Sequence, residues 1–99
     1  MKSEAKVQTE IMKYLEDNGC YVIKIVRANK QGVSDLAVCL KSGKFMCVEV
    51  KCGNNKPTKM QMYHLNLVEV SGGLALWANS LEMLKAKLEV LEEPFNAMY

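Results

Sequence analysis

The chain has 99 residues, 49% of them hydrophobic, and a formal net charge of +2. That length suits one domain over residues 1–99 with a single core, the apolar content excludes a disordered polymer, and so small a charge names no partner by itself. No apolar run approaches the roughly 20 residues of a spanning helix and no apolar segment follows Lys2 as in a signal peptide, so a soluble cytoplasmic protein without a membrane partner is expected.

Ser3 reads as an N-cap and Gly19 as a stop, which predicts a helix to about Asn18. Val7, Ile11 and Leu15 recur every four residues and give that helix one apolar stripe, widened by Met12 and Tyr14. Glu4 and Gln8 are one turn apart and flank the stripe, so they face partly inward. Taken alone, Glu4 is a favourable charge in a first helical turn and Gln8 an ordinary helix-face residue. Cys20 to Arg27 alternates and is rich in β-branched residues, which predicts the first strand.

After the turn Ala28–Gly32, two apolar strands are expected over about Ser34–Leu40 and Lys44–Lys51. A three-residue loop at Lys41-Ser42-Gly43, a type I turn closed by glycine at positive φ, sets Leu40 opposite Lys44 and Asp35 opposite Glu49. Both carboxylates then leave the sheet on one face, with Lys51 two residues on. A two-residue loop on Ser42-Gly43 would instead pair Asp35 with Val50 and separate the carboxylates, because a one-residue slip inverts the strand. Directly opposed like charges destabilise a hairpin, so the first register makes sense with a cation between them: Lys51 in part, a divalent ion more strongly. The other face, with Leu36, Val38, Met46, Val48 and Val50, is wholly apolar and must be covered by helices.

Thr58-Lys-Met-Gln61 is a capping box that opens a helix to about Val70, and it is a complete structural reason for Gln61. His64, three residues further along that helix, is given no role. Ser71-Gly-Gly73 ends the helix, Leu74–Ala78 is a fourth strand, and Asn79-Ser-Leu-Glu82 caps a last helix to about Glu92. Leu81, Leu84, Leu88 and Leu91 have coiled-coil spacing over less than two heptads, a stripe that more often packs on its own sheet. With the apolar tail Phe95–Tyr99 it also forms a candidate subunit contact. The expected fold class is α/β: an αβββαβ core with a mixed four-stranded sheet, plus a C-terminal helix. Cys20, Cys39, Cys47 and Cys52 lack metal or disulfide spacing and read as free thiols.

Charge is unevenly spread. Between Lys24 and Lys59 stand eight basic residues, Arg27, Lys30, Lys56 and Lys59 among them, against two acidic ones, Asp35 and Glu49. This excess surrounds the hairpin, where it suits a phosphate backbone; ordinary solvated strand edges are the bland alternative.

The ordered set of a helix with Glu4, the Gly32-Val-Ser-Asp35-Leu strand, the Glu49-Val-Lys51 strand, a polar loop, a helix with Gln61, and Gly72-Gly73 before a last strand resembles the virus-type replication-repair nuclease domain. This is a restriction-endonuclease-like branch of the PD-(D/E)xK nucleases, and the likeness covers about residues 3 to 80. Ser34 stands where the motif usually has Pro. The resemblance implies that Asp35, Glu49 and the backbone carbonyl of Val50 hold Mg²⁺ or Mn²⁺, that Lys51 positions or activates water, that Glu4 supports the metal, and that Gln8 and Gln61 lie near the scissile phosphate. It further implies DNA as partner, no organic cofactor, and, as in small phage forms of the domain, a homodimer cutting branched DNA of the four-way (Holliday-junction) type. A non-catalytic nucleic-acid-binding module of the same fold is the runner-up; a small oligomeric adaptor is a third reading that leaves the charged face unexplained.

Overall fold

The computed structural model describes residues 1–91. Seven elements follow in the order α1 (Glu4–Asp17), β1 (Tyr21–Lys24), β2 (Leu36–Cys39), β3 (Phe45–Val50), α2 (Lys59–Val70), β4 (Leu74–Ala78) and α3 (Leu81–Val90). The strands form one sheet in the order β1-β2-β3-β4, antiparallel at the first two pairings and parallel at the last. Parallel pairing of β3 with β4 requires a crossover, which α2 supplies. This is the expected mixed α/β sheet with a C-terminal helix.

Each helix starts where a side chain accepts orphan backbone N–H groups. Ser3 Oγ accepts from Lys6 N at 3.1 Å, Ser80 Oγ accepts from Met83 N at 3.0 Å, and Thr58 and Gln61 close a reciprocal box at the start of α2. Val7, Ile11 and Leu15 on α1 and Leu84 and Leu88 on α3 bury against Leu36, Val38, Met46, Val48 and Val50. The face that alternation marked as apolar is therefore the core face, and Leu84 and Leu88 of the α3 stripe are spent within the chain, while Leu81 is partly buried and Leu91 is exposed. The tail Phe95–Tyr99 lies outside the described residues. No helix among the described residues is long and apolar enough to cross a membrane.

Several element ends differ from expectation, most of them by one residue. β1 stops at Lys24 rather than Arg27, and β2 starts at Leu36 rather than Ser34. The physical reason lies at Asp35: its Oδ2 accepts the Val50 N–H at 2.7 Å, so a side chain takes the bond that the next ladder carbonyl would have taken. Beyond Ile25, whose N–H donates to the Asp35 carbonyl at 2.7 Å, the chain leaves the sheet, and Val26 is exposed. A further difference is small: α3 ends at Val90 where an end near Glu92 was expected.

Candidate active site

The β2–β3 hairpin closes as a three-residue loop. Gly43 N donates to the Leu40 carbonyl at 2.7 Å, Leu40 N donates to the Lys44 carbonyl at 2.9 Å, and Gly43 has φ 92°, the left-handed conformation that glycine adopts without strain. The register that follows pairs Cys39 with Phe45, Ala37 with Cys47 and Leu36 with Val48. One step further on, Asp35 meets Glu49. Because Leu40 and Lys44 are a hydrogen-bonded pair and such pairs alternate, Asp35 and Glu49 fall at a non-hydrogen-bonded position, where opposed side chains approach more closely. The alternative two-residue register is absent.

Glu49 is 2% exposed, and its Oε1 is buried with no hydrogen-bond partner. Its neighbours on the same face are Asp35 across β2 and Trp77 across β4. Burial first, and the Asp35 carboxylate second, push the Glu49 carboxyl up to about 7; Lys51 pulls the other way. The Lys51 ammonium lies 3.5 Å from Glu49 Oε2 with only 14% of its side chain exposed. One cation thus meets Glu49 in a poorly hydrated recess that Asp35 shares, and the unpartnered Oε1 shows that Lys51 does not satisfy the Glu49 carboxylate. An orphaned buried carboxylate oxygen is expensive to leave unpaired. Hard divalent cations take carboxylate and carbonyl oxygens, so Asp35, Glu49 and the Val50 carbonyl at the end of β3 form a donor set suited to such an ion.

The other expected site residues are placed less uniformly. Glu4 is exposed in the first turn of α1, and among the described residues no three His, Cys, Asp or Glu side chains are grouped to hold an ion, so Glu4 does not add a third carboxylate to the pair. Gln8 is half-buried on α1. Gln61 Oε1 accepts the Thr58 N–H at 2.9 Å, which commits its oxygen to the cap of α2 and leaves its amide nitrogen as a donor. Arg27, Lys30, Lys56 and Lys59 are all exposed. The first two ride on the segment between β1 and β2, which is pinned to α2: a Cβ on Gly32 would meet Met60 Cγ at 2.4 Å and His64 Cδ2 at 3.1 Å. The last two flank the start of α2, directly after the loop that leaves Lys51. Ser34, at the position the motif gives to Pro, is buried and donates from Oγ to the Leu36 carbonyl at 3.3 Å.

A solved structure described as a VRR_NUC domain superposes with a TM-score of 0.77 over 92% of this chain and 97% of its own, at 27% sequence identity. The chain has a VRR_NUC-type fold. A second structure, described as a VRR_NUC domain protein, superposes with a TM-score of 0.71 over 94% of this chain and 92% of its own at 19% identity, a likeness of fold alone. No protein-family model and no curated protein matches the sequence. Within the VRR_NUC-type fold, one neighbourhood escaped the sequence reading. Phe45 and Cys47 line a cleft of about 480 Å³ between α2 and the Lys30–Ser34 segment, together with Lys30, Lys44 and His64. The hairpin register places Phe45 and Cys47 on the Glu49 face, so strand parity was a signal for both; His64 had none.

Proposed function

We propose that this chain is a divalent-metal-dependent DNA endonuclease that hydrolyses phosphodiester bonds at the Asp35–Glu49–Lys51 face. The VRR_NUC-type fold supports a nuclease function, and the buried, unpartnered Glu49 Oε1 beside Asp35 carries the assignment to this face. Asp35, Glu49 and the Val50 carbonyl would hold Mg²⁺ or Mn²⁺. When bound, such an ion supplies Lewis acidity to the phosphodiester and lowers the pKa of water.

The remaining work falls to the chain's own groups. Asp35 fixes the end of β3 through the Val50 N–H, so the geometry of both carboxylates is set by backbone rather than by a flexible loop. Lys51 keeps a positive charge beside the pair and stabilises negative charge that develops on the phosphorane oxygens. Glu49 is buried from solvent, which strengthens these interactions. Arg27, Lys30, Lys56 and Lys59 neutralise backbone phosphates on either side. As the resemblance implies, the proposal extends to a homodimer on branched DNA, where two-fold pairing of sites suits paired cuts on a symmetric junction.

The test is cleavage of linear, flapped and four-way DNA with Mg²⁺, Mn²⁺ or EDTA. Metal-dependent cleavage is expected, with branched substrates cut faster than linear duplex. Asp35→Asn should lower it by more than the roughly 100-fold that loss of a ligand's supporting partner costs, while DNA binding survives. Binding without metal-dependent cleavage would leave the non-catalytic module instead, and equal rates on linear and branched DNA would remove the branched-substrate part.

A further inference from the structure

The two faces of the sheet are covered unequally. α1 and α3 close the core face, where Leu36, Met46, Val48 and Val50 are each 0% exposed. On the opposite face α2 packs on β3 and β4, and the β1–β2 half has no helix. Tyr21 is 68% exposed and Ile23 46% there, and Phe45, at the start of β3 beside the α2 cleft, is 48% exposed. Register aligns them: Tyr21, Cys39 and Phe45 form one row across three strands, and Ile23, Ala37 and Cys47 the next. Ile25, Asp35 and Glu49 follow as the third, so the exposed row of Tyr21 and Phe45 lies two rows from the carboxylate pair on the same face, with Cys47 of the middle row buried.

We propose that the β1–β2–β3 face is a stacking platform for unpaired bases of the DNA strand that reaches the carboxylate pair, with Tyr21 and Phe45 as its rings. The inference rests on the nuclease reading and narrows its substrate to DNA with a single-stranded stretch next to the cut. Strand geometry puts the Tyr21 and Phe45 backbones roughly 10 Å apart, with the small side chains of Ala37 and Cys39 flooring the gap. The aromatic row lies four residues, roughly 13 Å, from the carboxylates. That distance is about four stacked nucleotides at roughly 3.4 Å each. Aromatic rings on a sheet surface hold bases of any sequence, because every base has a π-face. Phe45 also borders the cleft that Lys30, Lys44 and His64 help line, and a volume of about 480 Å³ falls within the range of small-ligand sites.

Charge selects nucleic acid over a second copy of this chain as the occupant. Lys30 and Lys44 line the cleft beside Phe45 and Arg27 is exposed on the segment between β1 and β2, whereas Lys24, opposite Leu36, has core-face parity and Lys51 is paired with Glu49. A second copy laid against this surface would oppose like charge to like, whereas a phosphate backbone is complementary.

The test is fluorescence anisotropy with a labelled oligo-dT single strand and a duplex of equal length, in EDTA so that cleavage plays no part. Tyr21→Ala and Phe45→Ala should each weaken single-strand binding on the order of 5- to 100-fold and lower the ratio of single-strand to duplex affinity. Tyr21→Phe and Phe45→Trp should restore it. Phe45→Leu, which keeps apolar bulk without a ring, replaces Phe45→Ala if the latter melts early. An unchanged ratio in the Ala and Leu variants would overturn the platform, as would a wild-type dimer that Ile23→Asp converts to monomer, since the face would then be an interface between copies. Ring-dependent single-strand binding by a protein that cuts nothing sinks the nuclease reading and keeps the platform; metal-dependent cleavage with binding indifferent to both rings does the reverse.

Discussion

At the residue scale the site turns on Glu49, whose carboxyl is pushed up to about 7 by burial and by Asp35. A carboxyl that holds its proton more tightly folded than unfolded stabilises the fold while protonated. Its contribution is full below the unfolded value near 4.5 and is lost as pH rises through the folded value. Without metal the protein should therefore lose stability between about pH 5 and pH 8, by on the order of 3 kcal/mol, as urea melts in EDTA would show. Asp35→Asn keeps an acceptor for the Val50 N–H yet removes the like charge, so it should reduce that loss while the larger part, caused by burial, remains. A melt equally stable at both pH values would contradict the buried pair. Lys51→Ala removes the cation 3.5 Å from Glu49 Oε2; cleavage should fall roughly 10²- to 10⁴-fold, the range for loss of a positioned catalytic side chain, with DNA affinity measured in parallel to separate binding from chemistry.

At the element scale, the hairpin was legible because two signals agree: Gly43 admits only a few turn types, and strict alternation on both strands penalises a register slip. Gly43→Ala places a Cβ at positive φ and should cost about 1–2 kcal/mol without moving the register, read from chemical denaturation. The strand ends were not legible. They are set by the Asp35 side chain taking the Val50 N–H, a competition between side chain and ladder that alternation does not encode. Glu4 and Gln8 illustrate a second limit: periodicity gives the face of a helix but not where its first turn sits along the sheet. For Gln61 the capping box foretold the observed bonds in full. Thr58→Ala should cost about 1 kcal/mol. Gln61→Glu preserves the box and should keep the melting temperature but lower cleavage, because it sets an anion where the resemblance places the scissile phosphate.

At the scale of the molecule, one face of the sheet holds the fold together and the other carries the proposed active site. Leu36→Ala or Leu84→Ala, both on the fully buried side, should cost about 2–5 kcal/mol, whereas Tyr21→Ala on the open side should stay within about 0.5 kcal/mol; thermal melts compare them directly. Sequence parity assigned residues to these two faces correctly, with Leu36 and Val48 on one and Asp35 and Glu49 on the other. Coverage was the missing piece, since only tertiary placement leaves Tyr21, Ile23 and Phe45 bare and spends the Leu84–Leu88 stripe inside. The central claim is that Asp35 and Glu49 form a divalent-ion site, and Mn²⁺ titration of the metal-free protein at pH 8, followed by melting temperature, tests it most directly. An ion at 100 times its dissociation constant adds about 2.7 kcal/mol, a rise of roughly 10 °C or more in a domain of this size. That rise is expected in the wild type and should be lost in Asp35→Asn and Glu49→Gln; no rise, or an equal rise in the variants, would rule out a divalent-ion site at this pair.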